Sequence, residues 1–264
     1  MEKTSFTPGT PMWVDLGSRD VGAAVGFYGA LFGWDCASQG EESGGYHLAQ
    51  LRGLNVAGLG GQPEPGPAWW TTYFCTVDVE ATIARVEGGG GTLVAGPLDV
   101  MGEGRMAVFS DPAGATFSAW QPMKHTGAGL VGETGTMWWH ELNTREPLRS
   151  AEFYGHVFGW TTQQFDSGGM DYTLLQIGEE DVGGMMPMGD NFPAEVPNHW
   201  LVYFAVADCD ATVEKVRSLG GDVKMPPTDI PVCRFAVVSD PEGAVFAVAK
   251  PTGNESAGSG EGEG

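Results

Sequence analysis

Phe27-Tyr28-Gly29-Ala30-Leu31-Phe32-Gly33-Trp34 is a stretch of eight residues that this chain uses twice. It returns 126 residues further on as Phe153-Tyr154-Gly155-His156-Val157-Phe158-Gly159-Trp160, and six of the eight positions are identical. Self-similarity at a fixed offset marks a repeated structural unit, and it decides the fold before any single residue is interpreted. The chain is therefore one module written twice.

Matches outside this stretch show that the repeat runs along most of the chain. At the same offset the pairs are Trp13 with Trp139, Leu16 with Leu142, Tyr46 with Tyr172, Gln50 with Gln176 and Gly58 with Gly184. At offsets of 130 and then 129 the pairs are Tyr73-Phe74 with Tyr203-Phe204, Asp78 with Asp208, Arg105 with Arg234, and Ser110-Asp111-Pro112 with Ser239-Asp240-Pro241. The offset changes through insertion and deletion, which surface loops accept at little cost.

The bulk composition limits the kinds of partner. A chain of 264 residues with 42% apolar residues can form two modules of about 120 residues, each with its own core. The formal net charge of −21 argues against binding to nucleic acid or to an anionic membrane, because both require clustered Lys and Arg. We expect a small-molecule partner, and either a monomer in which the two modules pair or a homodimer.

The cysteines and the first residues of the chain indicate a cytoplasmic protein. Cys36, Cys75, Cys209 and Cys233 form no C-x-x-C pair and do not match one another in the repeat. This pattern is typical of free thiols in a reducing compartment. The first residues lack the apolar region of a signal peptide, and no apolar stretch is long enough to span a bilayer.

Periodicity and turn residues predict the same order of elements in both modules. Each module reads as strand, helix and strands, followed by strand, helix and strands again. Asp20 and Asp78 are suited to cap the two helices of the first module, and Gly33 to end the first of them. We predict a flexible arm over residues 1–11, modules over 12–122 and 136–251, a linker over 123–135 and a disordered acidic tail over 252–264.

Two βαβββ units in each of two modules, with the aromatic stretch on the first helix and Ser-Asp-Pro-x-Gly-Ala before the last strand, resemble the vicinal oxygen chelate superfamily. That superfamily includes glyoxalase I, bleomycin-resistance proteins, fosfomycin-resistance proteins and extradiol dioxygenases. The resemblance covers nearly all of residues 10–251 and is nearest to two-module glyoxalase-like proteins of actinobacteria, a group with hydroxylase-type proteins and mycobacterial culture-filtrate antigens. It implies an α+β fold of tandem modules whose sheets curve around a ligand cavity.

The resemblance also implies places for metal ligands, and this chain fills them with poor donors. The first-strand place falls on Trp13 and Trp139, the central-strand place on Thr72 and Val202, and the last-strand glutamate place on Ser118 and Ala247. Trp, Val and Ala offer no oxygen, sulfur or imidazole ligand, and a lone Thr or Ser hydroxyl binds divalent ions weakly. We therefore expect no metal and no other cofactor.

Two polar pairs of the repeat are candidates for catalysis. Asp15 and Glu141 each lie two residues after a tryptophan on a predicted strand, so each should share that tryptophan's face. Burial beside an indole would raise the pKa of the carboxyl toward a range useful for acid–base catalysis. Arg105 and Arg234 could bind an anionic ligand group, or could instead neutralise these carboxylates or cover a sheet edge.

Aromatic residues on predicted strands are the candidates for ligand binding. An aromatic-walled cleft suits a flat, mostly apolar ligand, although the same rings could simply pack the sheets together. His199 precedes the central strand of the second module at the place where the first module has Trp69, which makes it the best histidine for a site. The ligand-binding candidates are Trp13, Trp139, Trp69, His199, Thr72, Ser118, Trp120, Phe74, Phe204 and Met185.

Three functions remain open on the sequence alone. The first is a metal-free binding protein for a hydrophobic or aromatic metabolite or antibiotic. The second is a metal-independent lyase, isomerase or hydroxylase-like enzyme that uses Asp15 or Glu141 as acid or base. The third is a metal-dependent glyoxalase or dioxygenase, which only the resemblance favours, because fold does not determine chemistry.

Overall fold

A computed structural model describes residues 1–62, 66–166, 171–190 and 192–252. Within these ranges the first module consists of β1 (Pro11–Ser18), α1 (Val21–Phe32), β2 (Asp35–Ser38), β3 (His47–Leu51), β4 (Leu54–Gly61), β5 (Trp69–Cys75), α2 (Val79–Gly88), β6 (Thr92–Val100), β7 (Gly104–Ser110) and β8 (Thr116–Pro122). None of the helices described combines the length and the apolar character needed to cross a bilayer.

The second module repeats this order. It consists of β9 (Met137–Thr144), α3 (Pro147–Phe158), β10 (Thr161–Asp166), β11 (Asp171–Ile177), β12 (Glu180–Pro187), β13 (His199–Ala205), α4 (Cys209–Ser218), β14 (Asp222–Ile230), β15 (Cys233–Ser239) and β16 (Val245–Pro251). The predicted order of two βαβββ units in each module is confirmed. The predicted acidic tail lies outside the described residues from position 253 onward.

Each module forms one open, curved sheet of eight strands. The strand order is β2-β3-β4-β1-β5-β8-β7-β6 in the first sheet and β10-β11-β12-β9-β13-β16-β15-β14 in the second. In both sheets the two βαβββ units join where their first strands pair antiparallel, as β1 with β5 and β9 with β13. The predicted α+β architecture of tandem modules is therefore confirmed, and the first strands form the centre of each sheet.

Helix α1 shows why the repeated stretch folds as it does. The Asp20 side chain accepts a hydrogen bond from the Ala23 backbone, and Gly33 ends the helix in the left-handed conformation at φ 75°. The buried side chains of α1 include Phe27, Tyr28 and Leu31. They lie on the side of the first sheet that faces the second module, and α1 packs against α4 while α2 packs against α3. The two sheets are thus joined through their helix-covered faces.

Two reciprocal buried hydrogen bonds connect the modules. The Tyr28 hydroxyl donates to Asp240 Oδ2 of the second module at 3.1 Å, and the Tyr154 hydroxyl donates to Asp111 Oδ2 of the first module at 3.2 Å. Each tyrosine also accepts a hydrogen bond from a tryptophan indole, at 3.1 Å from Trp70 to Tyr28 and at 2.8 Å in the second copy. Both motifs of the repeat, the helical stretch and the Ser-Asp-Pro turn, therefore meet across the module interface.

The arm before the first module and the linker before the second module make equivalent contacts. The indole of Trp34 donates to the carbonyl of Gly135 at 2.7 Å, and the indole of Trp160 donates to the carbonyl of Gly9 at 3.0 Å. Gly9 and Gly135 both have positive φ, 90° and 81°, and both donate backbone hydrogen bonds to the ends of β5 and β13. The arm, predicted to be flexible, is attached by these bonds to both modules.

The module interface can be tested by removing single hydroxyl groups. We expect Tyr28→Phe and Tyr154→Phe each to lower the free energy of unfolding by about 2 kcal/mol, because each removes the side-chain donor to Oδ2 of a buried aspartate and the acceptor of a buried indole N–H. Urea denaturation followed by circular dichroism measures this loss. Phe27→Leu, on the same helix but without a polar partner, is the matched control for simple loss of packing. Unchanged stability in both tyrosine variants would contradict the proposed role of these hydrogen bonds.

Candidate functional site

The register of the central strands brings the candidate residues of each module to one face. Asp15 lies opposite Thr71 and beside Gly58, and Trp13 lies opposite Tyr73. Side chains alternate between the two faces of a strand, so all of these lie on the face away from the module interface. We call this face of each sheet its concave face. The predicted shared face of Trp13 and Asp15 is confirmed.

In the first module a chain of hydrogen bonds runs along the concave face. The Tyr73 hydroxyl donates to Asp15 Oδ2 at 2.9 Å, and the Tyr46 hydroxyl lies 3.4 Å from the same oxygen. The Trp13 indole in turn donates to the Tyr46 hydroxyl at 3.1 Å. The carboxyl of Asp15 is thus held by phenols, and through Tyr46 it fixes the orientation of an indole ring.

The second module repeats this chain with Glu141 in place of Asp15. The Trp139 indole donates to the Tyr172 hydroxyl at 2.8 Å, and Tyr172 and Tyr203 both hydrogen-bond to Glu141. The Asn143 side chain adds a donor to Glu141 at 3.2 Å. Both modules therefore carry a tryptophan, a tyrosine, a buried carboxyl and a second tyrosine linked in the same order.

Glycine at one position of each module makes room for this chain. A Cβ atom on Gly58 would stand 1.7 Å from the Tyr46 hydroxyl, and a Cβ on Gly184 would stand 1.9 Å from the Tyr172 hydroxyl. Any other residue would push the phenol away from the carboxyl. The sequence analysis identified Tyr46, Tyr73 and Gly58 as repeat matches but assigned them no role. Their identity in both copies was the signal that could have found them.

Burial dominates the protonation of both carboxyls. Loss of hydration raises the pKa of Asp15 from 3.8 to about 6, and the hydrogen bonds from Tyr73 and Tyr46 lower it only partly. Burial likewise raises the pKa of Glu141. Asp15 nevertheless retains partial solvent exposure, whereas Glu141 is 4% exposed. The Asp15 carboxyl is therefore strongly perturbed, and the residue as a whole is less completely buried than Glu141.

Four more predicted residues lie on the concave faces. Ser118 lies beside Tyr73, and Trp120 follows two positions later on β8. Trp69 is 39% exposed at the edge of the first concave face, where its ring lies against Gly17. His199 lies opposite Asn143 in the second module, and burial lowers its pKa. The structure therefore brings these four onto the faces that carry Asp15 and Glu141.

His125 is a residue of this site that the sequence analysis did not assign. Its ring centroid lies 4.4 Å from that of Trp13 and 5.5 Å from that of Trp120, in edge-on contact with both. The indole of Trp120 donates to the His125 carbonyl at 3.0 Å. Burial lowers the pKa of His125 to about 4, so its imidazole is neutral at neutral pH. No repeat match marks this residue, which is why it escaped notice.

Two predicted site residues lie on the opposite face. Thr72 is buried against the second module, where its hydroxyl lies 3.1 Å from Nδ1 of His140. Met185 pairs with Leu142, one position away from the concave-face pair of Gly184 with Glu141, and it is buried in the core. Both predictions are wrong about the face, because each residue lies one position along its strand from a residue of the concave face. Because the strand period is two, such a shift moves a side chain to the other face.

Phe74 and Phe204 are also interface residues rather than ligand-binding residues of a concave face. Both are fully buried. The Phe74 ring lies 5.1 Å from the ring of Trp200 in the second module, and the Phe204 ring lies 5.1 Å from the ring of Trp70 in the first. These contacts correct their expected placement, since both rings belong to the core that joins the modules.

Arg105 and Arg234 are not near the carboxyls. Arg105 forms a two-pronged ion pair with Glu80 of α2, at 2.8 and 2.6 Å. Arg234 forms the same pair with Asp210 of α4, at 2.7 and 2.8 Å, and a further bond to Asp229. The expected anion clamp and the expected pairing with Asp15 or Glu141 are both corrected. The arginines hold the second helix of each module to its sheet.

The donor groups on the concave faces do not fit a divalent metal ion. The buried carboxyls of Asp15 and Glu141 have as neighbours phenol hydroxyls that already serve as their hydrogen-bond donors. Among the residues described, no three His, Cys, Asp or Glu side chains gather at a common point. A protein site for a divalent ion ordinarily supplies three or more such side chains, or three or more oxygen ligands from other groups.

A separate surface cavity lies at the module interface and belongs to neither concave face. It has a volume of about 380 Å³ and is lined by residues of the arm, of the segment that follows β5 and of α3, among them Pro8, Thr76, Val77, His156 and Phe158. It contains neither Asp15 nor Glu141. We therefore place the candidate site on the concave faces, where the perturbed carboxyls and the repeat-matched aromatic rings coincide.

Alanine substitution of the two clearance glycines tests the hydrogen-bonded chain. We expect Gly58→Ala and Gly184→Ala each to destabilise the protein by about 2 kcal/mol, because the displaced tyrosine leaves a buried carboxyl short of a donor. Gly61→Ala is the matched control on β4, since a Cβ there meets no atom within 4 Å. Thermal unfolding measures all three variants. Equal behaviour of the Gly58 and Gly61 variants would disprove the clearance argument.

The raised pKa of Asp15 predicts a specific pH dependence of stability. Between about pH 4 and pH 6 the folded protein binds more protons at Asp15 than the unfolded chain, so this group makes stability fall as pH rises. Asp15→Asn removes that contribution. In urea denaturation at several pH values, the free energy of unfolding of the variant should rise relative to that of the wild type as the pH increases across this window. A constant difference in free energy would show that Asp15 titrates normally.

Comparisons with known proteins support the repeat and the fold. Residues 12–120 match the model of a glyoxalase-like domain, and residues 123–248 match the model of the glyoxalase/bleomycin resistance protein/dioxygenase superfamily. Among solved structures, the Mn(II)-bound glyoxalase from Novosphingobium aromaticivorans is similar with a TM-score of 0.63 and 17% identity, over 92% of this chain and 82% of that one. The 2,2',3-trihydroxybiphenyl 1,2-dioxygenase from Sphingomonas wittichii has the same TM-score at 14% identity, over 94% and 93%.

Two relatives are similar along nearly their whole length. "Putative glyoxylase CFP32" of Mycobacterium tuberculosis is 44% identical over 260 residues, which cover 95% of this chain and 98% of the relative. "Anthracycline biosynthesis protein DnrV" of Streptomyces peucetius is 39% identical over 263 residues, with 94% and 95% covered. The chain therefore belongs to the glyoxalase/bleomycin resistance protein/dioxygenase superfamily.

Proposed function

We propose that this protein binds a flat, largely apolar aromatic small molecule on a concave face, without a metal ion. The observation that carries the proposal is the fixed tryptophan of each module. Trp13 and Trp139 are each held by a tyrosine hydroxyl that is itself bonded to a buried carboxyl. An indole whose orientation is fixed in advance costs little conformational entropy when a ring stacks on it, which favours binding.

The surroundings of these tryptophans support an aromatic ligand. Half-buried or exposed rings on the concave faces include Trp69, Trp139, Tyr46, Tyr172 and Phe235. Aromatic side chains prefer offset-stacked or edge-on contact with other rings, so a flat ligand suits such walls. One relative takes part, by its name, in the biosynthesis of anthracyclines. We propose that the ligand of this chain is likewise a fused-ring aromatic compound.

Charge supports the same class of partner. The net charge of −21 repels polyanions, and Asp15 and Glu141 would repel an anionic ligand group in their charged forms. A neutral, ring-shaped compound avoids both penalties. We therefore propose a neutral small molecule as the partner of a cytoplasmic protein, with no nucleic acid and no membrane involved.

A second candidate function is metal-independent acid–base catalysis by Asp15. A pKa of about 6 together with partial exposure favours proton transfer near neutral pH, and one relative is named as a glyoxylase. The Tyr73 hydroxyl would hold the carboxyl in place, while the other carboxyl oxygen exchanges a proton with a bound compound. Metal-dependent glyoxalase or dioxygenase activity is the third candidate, and the donor groups described above favour it least.

Calorimetric titration with a neutral probe, a dihydroxynaphthalene, tests the binding function. We expect saturable binding to the purified protein that EDTA does not change. The double variant Asp15→Asn with Glu141→Gln should keep its affinity within about threefold, because an amide oxygen still accepts from the tyrosines and keeps the indoles in place.

The opposite results are informative. Absence of binding by naphthalene derivatives of any substitution would disprove the binding function. Binding that EDTA abolishes and one divalent ion restores would support the metal-dependent candidate. A compound that the wild type converts, and that the Asp15→Asn variant binds without converting, would favour acid–base catalysis. Mass spectrometry of the recovered compound distinguishes binding from conversion.

A further inference from the structure

The two concave faces differ at the positions that surround the repeated carboxyl. The repeat pairs that differ in size or polarity include Gly17 with Asn143, Trp69 with His199, Ser118 with Ala247, and Trp120 with Ala249. The chain of tryptophan, tyrosine and carboxyl is otherwise the same in both modules. Pairs of this kind therefore decide what each face can accommodate.

The first module fills its concave face with its own side chains. The ring of His125 covers both indoles, so Trp13 is only 3% exposed and Trp120 only 7%. Backbone hydrogen bonds from Met123 and His125 to the carbonyl of Glu103, at 3.1 and 3.0 Å, hold this segment in place. A flat ligand could reach Trp13 only by displacing His125.

Gly104 shows that the filling of the first face is built into the fold. A Cβ atom on Gly104 would stand 2.3 Å from the Trp120 ring, so the indole lies directly on the backbone of β7. The repeat partner of Gly104 is Cys233 on β15, and the partner of Trp120 is Ala249. The second module therefore lacks both the large ring and the glycine that would make room for it.

The second module leaves its aromatic floor accessible. Trp139, Tyr172 and Phe235 are all half-buried, and the small side chains of Ala247 and Ala249 lie fully buried in the cluster that includes Trp139 and Phe235. The Phe235 ring lies 5.7 Å from the ring of Tyr203, which holds Glu141. Partly exposed aromatic rings around a floor of alanine are suited to receive a flat ring from outside.

Polar groups at one end of this floor are neutral or lack a partner. Asn143 is 1% exposed, its amide nitrogen donates to Glu141, and its Oδ1 has no hydrogen-bond partner among the described residues. His199 lies opposite Asn143 on β13, and burial lowers its pKa, so it is uncharged at neutral pH. A buried acceptor without a partner is costly, and a donor group of a ligand would satisfy it.

We propose that the concave face of the second module is the binding face, and that it takes a flat aromatic ring bearing a hydroxyl group that donates to Asn143. The corresponding volume of the first module is occupied by His125 and Trp120. This inference rests on the proposed binding function, and it names the module, the chemical class of ligand and the residue that selects it.

Calorimetry with a dihydroxynaphthalene and with unsubstituted naphthalene tests the assignment on the full-length protein. The variant Ala249→Trp with Cys233→Gly transplants the filling residues of the first module into the second. We expect its affinity to fall on the order of a hundredfold, because the indole and the ligand cannot share one volume. Cys233→Gly alone is the matched control and should bind as the wild type does. The wild type should bind one probe per chain.

Asn143→Gly is a smaller change, which places at position 143 the glycine that the first module has at Gly17. It should lose most of the preference for the hydroxylated probe over naphthalene, a change of about threefold to tenfold for one hydrogen bond. Circular dichroism confirms the fold of every variant, and Asn143→Gly alone decides the outcome if the filled variant does not fold.

Failure of the binding function and failure of its assignment to the second module give different experimental results. If the wild type binds neither probe, the binding function and the assignment to the second module both fail. If the wild type binds but the filled variant, properly folded, binds equally well, the assignment is wrong while the binding function stands. Retention of the full hydroxyl preference by Asn143→Gly would likewise overturn the role of Asn143.

Discussion

The hydrogen bond from each helix tyrosine to the aspartate of the opposite module is the constraint on which the structure depends. Tyr28 reaches Asp240 and Tyr154 reaches Asp111, and each tyrosine also accepts from an indole of its own module. These groups are buried, so a shift of one module relative to the other would leave Oδ2 of each aspartate without its tyrosine donor, at a cost of about 1–3 kcal/mol for each unsatisfied group. The most strongly repeated residues of the chain are therefore those that join the modules.

This junction determines which faces remain available for function. The helix-covered faces meet in the centre of the molecule, so the concave faces with Asp15 and Glu141 point away from each other. Among the described residues, the hydrogen-bonded chains around Asp15 and around Glu141 draw their side chains from different sheets. Duplication with a common junction leaves each concave face free to diverge, because a substitution there does not disturb the hydrogen bonds that hold the modules together.

Divergence of the two faces has preserved the carboxyl and changed its surroundings. Both carboxyls depend on tyrosine donors and on a glycine that lets the phenol approach, and these positions are the same in both copies. Trp120 and His125 lie against Trp13 or each other on one face, whereas the other face has Ala249 in place of Trp120 and a half-buried Trp139. A fixed hydrogen-bonded floor with variable walls is an arrangement in which ligand choice can change without loss of stability.

The sequence by itself determined the duplication, the order of elements, the α+β class and the placement of Trp13 and Asp15 on one face, because repeat spacing and strand alternation are local properties. Only the tertiary structure decided which groups meet: tyrosines rather than Arg105 bind the carboxyl, and Phe74 joins the module interface. It also decided that His125 lies over Trp13. Such partners come from strands far apart in the chain, and their register and packing follow from the assembled sheets rather than from any pattern along one strand.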